Sequence, residues 1–301
     1  MDNANAEGAK AAVANAAENA KEAVSNATDK LKSFASNKQS LIMTLLIVGA
    51  VSLVVAFVLK YMVNSIILSK KAYLVPGTSA PVMGTVLTKT PIQSPALSNG
   101  QRASISFWIY IHDIDKYKGT MRHVLHIGDE AMENGSPSVF FDKSTNQMII
   151  VFPPKDAKGK SEDVSVETYV KGLLKTSGIS IDYIPVQRWV HIAIVVNENV
   201  NGGTMYAYVD AELVKSVSTG ESEIQIQKLN LSKGGNIYLG GSTSDNIGPG
   251  FSGLLSNVKL YNYDLNVGDV YSEYKSGPIN NLMAKLGLPA YGLQSPVYRI
   301  G

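Results

Sequence analysis

Cysteine is absent from this chain of 301 residues. That removes a disulfide scaffold, a thiolate zinc site, a cysteine nucleophile and a Cys-x-x-Cys redox pair. The four histidines, His112, His123, His126 and His191, form no His-Glu-x-x-His motif and no pair at helical spacing, so zinc hydrolysis is not indicated. No Gly-x-Ser-x-Gly occurs, and Gly250-Phe251-Ser252-Gly253 runs into a strand rather than a helix, which denies it the geometry of a nucleophile elbow. Gly248, Gly250 and Gly253 match a dinucleotide loop in spacing. They precede a strand, however, so no helix N-terminus is placed to hold a pyrophosphate, and the segment reads as a glycine-rich loop. What remains is fifteen tyrosines, several near strand or loop ends, such as Tyr110, Tyr117, Tyr183, Tyr206 and Tyr208. Such rings stack on sugars, seat a protein partner, or simply fill a sheet.

The elements that would position these side chains begin with a division of charge. Twenty-seven basic and twenty-five acidic residues give a net charge of +2, too little for a field that draws nucleic acid, and none is expected as a partner. Residues 41–71 hold three lysines and no acid, whereas residues 72–301 hold nineteen basic and twenty acidic groups. Between Lys38 and Lys60 nothing is charged, and Leu41 to Leu59 is long enough to cover a hydrocarbon layer of about 30 Å. The sequence therefore predicts one transmembrane helix over 39–69, with Lys60 reaching toward the headgroups. A cleaved signal peptide fits poorly, because forty residues come first and Lys60, Tyr61 and Met62 follow. Lysines flank both sides evenly, so the positive-inside rule does not orient the span. Residues 1–38 form an Ala-rich tail in which Val13, Ala17, Ala20, Val24, Ala27, Leu31 and Phe34 follow a heptad seam. It reads either as a solvated, marginally helical tail or as an amphipathic helix on the membrane or along partner helices.

Beyond the span, residues 70–98 are rich in Pro, Thr, Ser and Gly and read as a linker with a first strand. The period then changes to two. Ile105, Phe107, Ile109 and Ile111 share one face of a half-buried strand, and Val190, Ile192, Ile194 and Val196 repeat the pattern. Short strand-like runs follow at His123 to Ile127, Ser138 to Phe141, Gln147 to Phe152, Thr204 to Val209, Glu212 to Val217, Asn236 to Leu239 and Gly253 to Tyr261. Many short strands joined by turns predict an all-β sandwich or jelly roll over 99–277, with a C-terminal extension over 278–301. Beyond the span, helix is expected only at Val267 to Tyr274 and Asn280 to Leu286.

Five blocks in order carry a resemblance: Ser104 to Ile111 (SISFWIYI), Arg188 to Asn197 (RWVHIAIVVN), Met205 to Val214 (MYAYVDAELV), Ile237 to Ser242 (IYLGGS) and Phe251 to Leu265 (FSGLLSNVKLYNYDL). Together they resemble the laminin G-like branch of the concanavalin A-like lectin and glucanase superfamily, with Asp210-Ala211 where that branch usually has Asp-Gly. The resemblance implies a mainly β chain built on two antiparallel sheets packed face to face. It leaves the activity open, because this sandwich hosts lectins, hydrolases, adhesion modules and structural parts.

The related glucanases carry paired carboxylates in a Glu-x-Asp-x-Glu strand, which this chain lacks. Asp113-Ile114-Asp115 and Glu221-Ser222-Glu223 come nearest and read as solvated turns, so no enzyme is expected. Some laminin G-like domains hold calcium through loop aspartates and carbonyl oxygens, which makes Asp113, Asp129, Asp142 and Asp245 the calcium candidates. None falls on a matching family position, and the expectation is no cofactor. The reading is a non-enzymatic, single-pass membrane protein whose sandwich docks on proteins in an assembly, with a minor capsid component at the internal membrane of a large DNA virus as one such setting. The alternative is a membrane-anchored, lectin-like adhesion protein that binds glycan.

Overall fold

The computed structural model describes residues 18–26, 38–68, 71–75, 80–92, 102–231 except 131, 133, 134, 158, 159, 161 and 162, and 235–279 except 242–246. The chain divides into two compact units, Met1–Ile66 and Ile67–Gly301.

In the first unit, residues 18–26 are helical (α1) and exposed, with Val24 and Ala20 the only members of the heptad seam among the described residues. Helix α2, Lys38–Leu68, is 31 residues long. At 1.5 Å per residue it is roughly 46 Å long. Its window Ile42–Leu59 has a mean hydropathy of 2.9 and no buried residue. Ile42, Met43, Leu45, Leu46 and Ile47 are all exposed, and five such positions in six residues leave no polar face. A helix apolar all round needs an apolar surrounding, and this one is long and apolar enough to cross a membrane.

The second unit is a two-sheet β-sandwich. Its strands are β1 Lys71–Val75, β2 Val82–Met83, β3 Thr88–Pro91, β4 Arg102–Asp113, β5 Arg122–Gly128, β6 Ser138–Phe141, β7 Met148–Val151, β8 Gly178–Ile181, β9 Trp189–Asn199, β10 Gly202–Val209, β11 Glu212–Ser218, β12 Asn236–Leu239 and β13 Ser252–Tyr261. One sheet runs β1-β13-β4-β9-β10-β11, with β2 also on β13, and the other runs β3-β12-β5-β6-β7-β8. The segment read as linker and first strand thus supplies three short strands, split between the two sheets.

The inner faces follow the period of two. Ile105 pairs with Ile194, Phe107 with Ile192 and Ile109 with Val190 across β4 and β9, and all six sit in the inter-sheet core. Strand β4 is nevertheless buried on both faces from Ala103 to Ile109, not half-buried as its alternation predicts. The reason lies in helix α4, Val267–Ser276, which is capped by a reciprocal Asn266–Asp269 box and lies on the outer face of that sheet. Val270 and Leu265 there join Ala193, Val195, Tyr208 and Tyr261.

The opposite sheet is covered by α3, Val166–Ser177, a helix the strand-dominated reading omits. Its signals were local. Ser165 caps it by accepting from the Thr168 N–H, and Val170 and Leu174 place one apolar stripe over Phe140, Ile149 and Val151. The glycine-rich stretch that leads into β13 packs backbone on backbone. A Cβ on Gly250 would lie 1.8 Å from the Gly84 carbonyl oxygen, and one on Gly253 would lie 2.0 Å from that of Tyr110, so those positions admit no side chain.

Candidate interaction site

Two strands end their sheets side by side. Among the described residues β8 pairs only with β7 and β11 only with β10; β8 is buried along its length, whereas β11 is largely exposed and offers its outer backbone edge. Between them opens a groove of about 240 Å³, lined among others by Ser180, Asp182, Tyr183, Pro185, Val214 and Lys215. The sequence shapes this edge by a bulge. Pairing passes from Ala207↔Lys215 to Tyr208↔Leu213, so Val214 is the extra residue and β11 bends there. Leu213 and Val214 are left 54% and 48% exposed, and Tyr183 across the groove is 61% exposed.

Register puts Lys215 on the same face as Val217, which belongs to the core. Its Nζ crosses to the other sheet, 3.3 Å from Ser180 Oγ and 3.7 Å from Asp182 Oδ1. A charge aimed inward from an edge strand discourages indiscriminate edge-to-edge pairing while leaving the rest of the strand accessible. Asp182 also accepts from Gln147 Nε2 at 3.3 Å. Opposite charges here offset each other, so the groove does not select for net charge. It offers the Tyr183 ring, the Val209 and Val214 side chains, a few hydrogen-bonding groups and the edge of β11.

The calcium candidates do not share one place. Asp113 ends β4 and Asp142 follows β6, both near Arg122 at the start of β5, whereas Asp129 follows the far end of β5. Asp245 lies outside the described residues. Among the described residues no three His, Asp or Glu side chains converge as a metal set. Near Asp113 and Asp142 the cation is a side chain. The Arg122 guanidinium, 3% exposed, donates to the carbonyl oxygens of Ile114 (2.6 Å), Asp142 (2.6 Å) and Thr145. Burial lowers its pKa, and the carboxylates of Asp142, Asp115 and Asp113 oppose that shift. Asp113 at the end of β4 and Asp115 in the bend after it are exposed, as are Glu221 and Glu223 in their turn.

Of the tyrosines singled out, Tyr208 is buried, Tyr110, Tyr117 and Tyr206 are partly buried, and Tyr183 alone is widely exposed. His191 is buried under α4, its Nε2 2.9 Å from Ser106 Oγ and its ring 5.3 Å from that of Trp108. Burial pushes its pKa down to about 4. Beside it Lys259, 3% exposed, pairs with Glu273 of α4.

A histidine pair was missed. Three residues apart on a strand, His123 and His126 belong on opposite faces. A bulge at Val124, where pairing passes from His123↔Phe140 to Leu125↔Val139, brings both onto the outer face. No sequence signal marks that bulge.

The family model described as the concanavalin A-like lectin/glucanases superfamily matches residues 87–271. Among solved structures, the botulinum neurotoxin serotype D binding domain is similar at 14% identity and a TM-score of 0.43, covering 68% of this chain and 42% of that one. The binding domain of botulinum neurotoxin serotype G is similar at 14% identity and a TM-score of 0.44, covering 69% of this chain and 50% of that one. The chain spans half or less of the length of these solved chains. Among curated proteins none matches it.

Proposed function

The chain belongs to the concanavalin A-like lectin/glucanase superfamily, and from that membership we propose a non-enzymatic interaction protein, held at a membrane by α2, whose sandwich docks on partner proteins. One observation carries this reading: Tyr183 and Val214 stand exposed on a groove beside the exposed edge of β11, which pairs only with β10 among the described residues. An extended partner segment can add to such an edge through its backbone while a side chain fills the groove. A few side chains near the centre of a contact, tyrosine prominent among them, supply most of its affinity, which gives Tyr183 the leading part. On this reading no cofactor is needed. Confinement to a membrane raises the effective concentration for weak contacts, which suits a part of a large assembly. A minor capsid component at the internal membrane of a large DNA virus is the setting we propose.

The test is cross-linking with mass spectrometry on the native membrane or particle, comparing the unaltered chain with Val214→Glu. The expected result is repeated links from the sandwich to one abundant protein, reduced at least tenfold by the substitution. Unchanged links in the variant would remove the groove from the function. A second reading, glycan binding, is favoured by the Tyr183 ring standing beside Asp182, Gln147 and Lys215, an aromatic platform ringed by hydrogen-bonding groups. Release of the partner by glycosidase treatment would select it.

A further inference from the structure

His123 and His126 form a chain of three short contacts between two main-chain carbonyls. His123 Nδ1 lies 2.6 Å from the Gly240 oxygen, His126 Nδ1 lies 2.9 Å from His123 Nε2, and His126 Nε2 lies 2.8 Å from the Asp129 oxygen. A carbonyl oxygen only accepts, so both end nitrogens must carry hydrogen. Two neutral imidazoles own two N–H groups, and the two ends consume them. The central contact then joins two bare nitrogen lone pairs. With one added proton all three contacts become hydrogen bonds. With two, the central contact sets N–H against N–H.

We propose that His123 and His126 act as a one-proton latch: the pair takes up one proton and no second, and that proton ties the end of β12 at Gly240 to the segment leaving β5 at Asp129. Neither the membrane assignment nor the groove enters this argument. The surroundings decide when the proton arrives. Burial holds both rings neutral, pushing His123 down to about 3 and His126 down to about 4. His126 is the easier site, since its carbonyl contact and the Asp129 carboxylate oppose the burial. Among the described residues the groups facing the pair from each neighbouring element are few. Tyr238 of β12 stacks on His126 with centroids 4.7 Å apart, Lys89 of β3 stands 5.6 Å over that tyrosine, and Phe140 of β6 meets His123 edge-on. Tyr169 of α3 senses the same Asp129 carboxylate. At neutral pH the central contact therefore lacks its proton, and acid completes it.

The test is a side-chain NMR titration of the full chain in a membrane mimetic, with ¹⁵N in the histidine rings, carried from neutral pH down to the acid limit of folding. The expected result is a single shared curve for His123 and His126 with a summed uptake of one proton. His123 Nδ1 and His126 Nε2 stay protonated throughout. In His126→Gln the amide supplies the central donor, and the uptake by His123 disappears. Two protons, two independent curves, or no uptake before the sandwich unfolds would each overturn the latch. If the glutamine variant fails to fold, the proton count in the unaltered chain decides alone.

Discussion

His191 is native in its neutral form, and that fixes the sign of its contribution to stability. Its pKa falls from an ordinary 6.5 to about 4 because burial penalises the charged ring. A depressed histidine contributes fully above the unfolded value and loses that contribution as pH falls from 6.5 toward 4, where the unfolded chain binds the proton first. The loss amounts to about 3 kcal/mol at most. Urea unfolding followed against pH should show this slope, and His191→Asn should flatten that part of it. Lys259 and Glu273 set a second expectation. Removing the ammonium by Lys259→Met leaves the largely shielded Glu273 carboxylate without it, at a cost of about 3 kcal/mol, and Lys259→Met with Glu273→Leu should recover most of the loss. Arg122 is a third case. Lysine is a point charge and cannot span the carbonyls of Ile114, Asp142 and Thr145, so Arg122→Lys should destabilise by about 2 kcal/mol. With this cation built in, chelating calcium should leave the midpoint of the unaltered chain in place.

At the level of elements, α2 and the two sheet-covering helices teach different lessons. Lysine at Val48, Val51 and Val55 sets three charges mid-helix, each costing about 3 kcal/mol in a bilayer. The triple variant should therefore leave the membrane pellet, and continued sedimentation would end the anchor reading. The alternation in β4 and β9 was legible because it reflects a single inner face, and the pairing Phe107↔Ile192 follows from it. The burial of their outer faces was not legible, since it depends on where α4 returns after β13. Helix α3 could have been read from Ser165, Val170 and Leu174, but strand-like neighbours on both sides dominated the pattern. The bulges at Val124 and Val214 were beyond reach, because an extra residue in a ladder is set by the partner strand. Those two bulges make the histidine pair and shape the groove, so the sites were less readable than the fold.

For the whole molecule, order along the chain conflicts with order in space. Strand β13 is the last strand among the described residues, yet it lies between β1 and β4 and also receives β2. Pairings between residues so far apart in sequence carry a large loop-closure cost and slow folding. A chain ended before Ser252 should lack a native sheet, visible as loss of dispersed methyl NMR signals, even though β1 to β12 are present. Strand β1 adds a mechanical aspect. It starts three residues after α2 ends and, among the described residues, is bonded within its sheet to β13 alone, from Lys71↔Tyr261 to Val75↔Val258. Tension arriving along the chain from α2 therefore enters the sandwich through a five-residue terminal strand. Under pulling that strand peels first, and the ladder β13-β4-β9-β10-β11 keeps its own bonds, so the connection yields like a fuse while the domain it restrains stays folded.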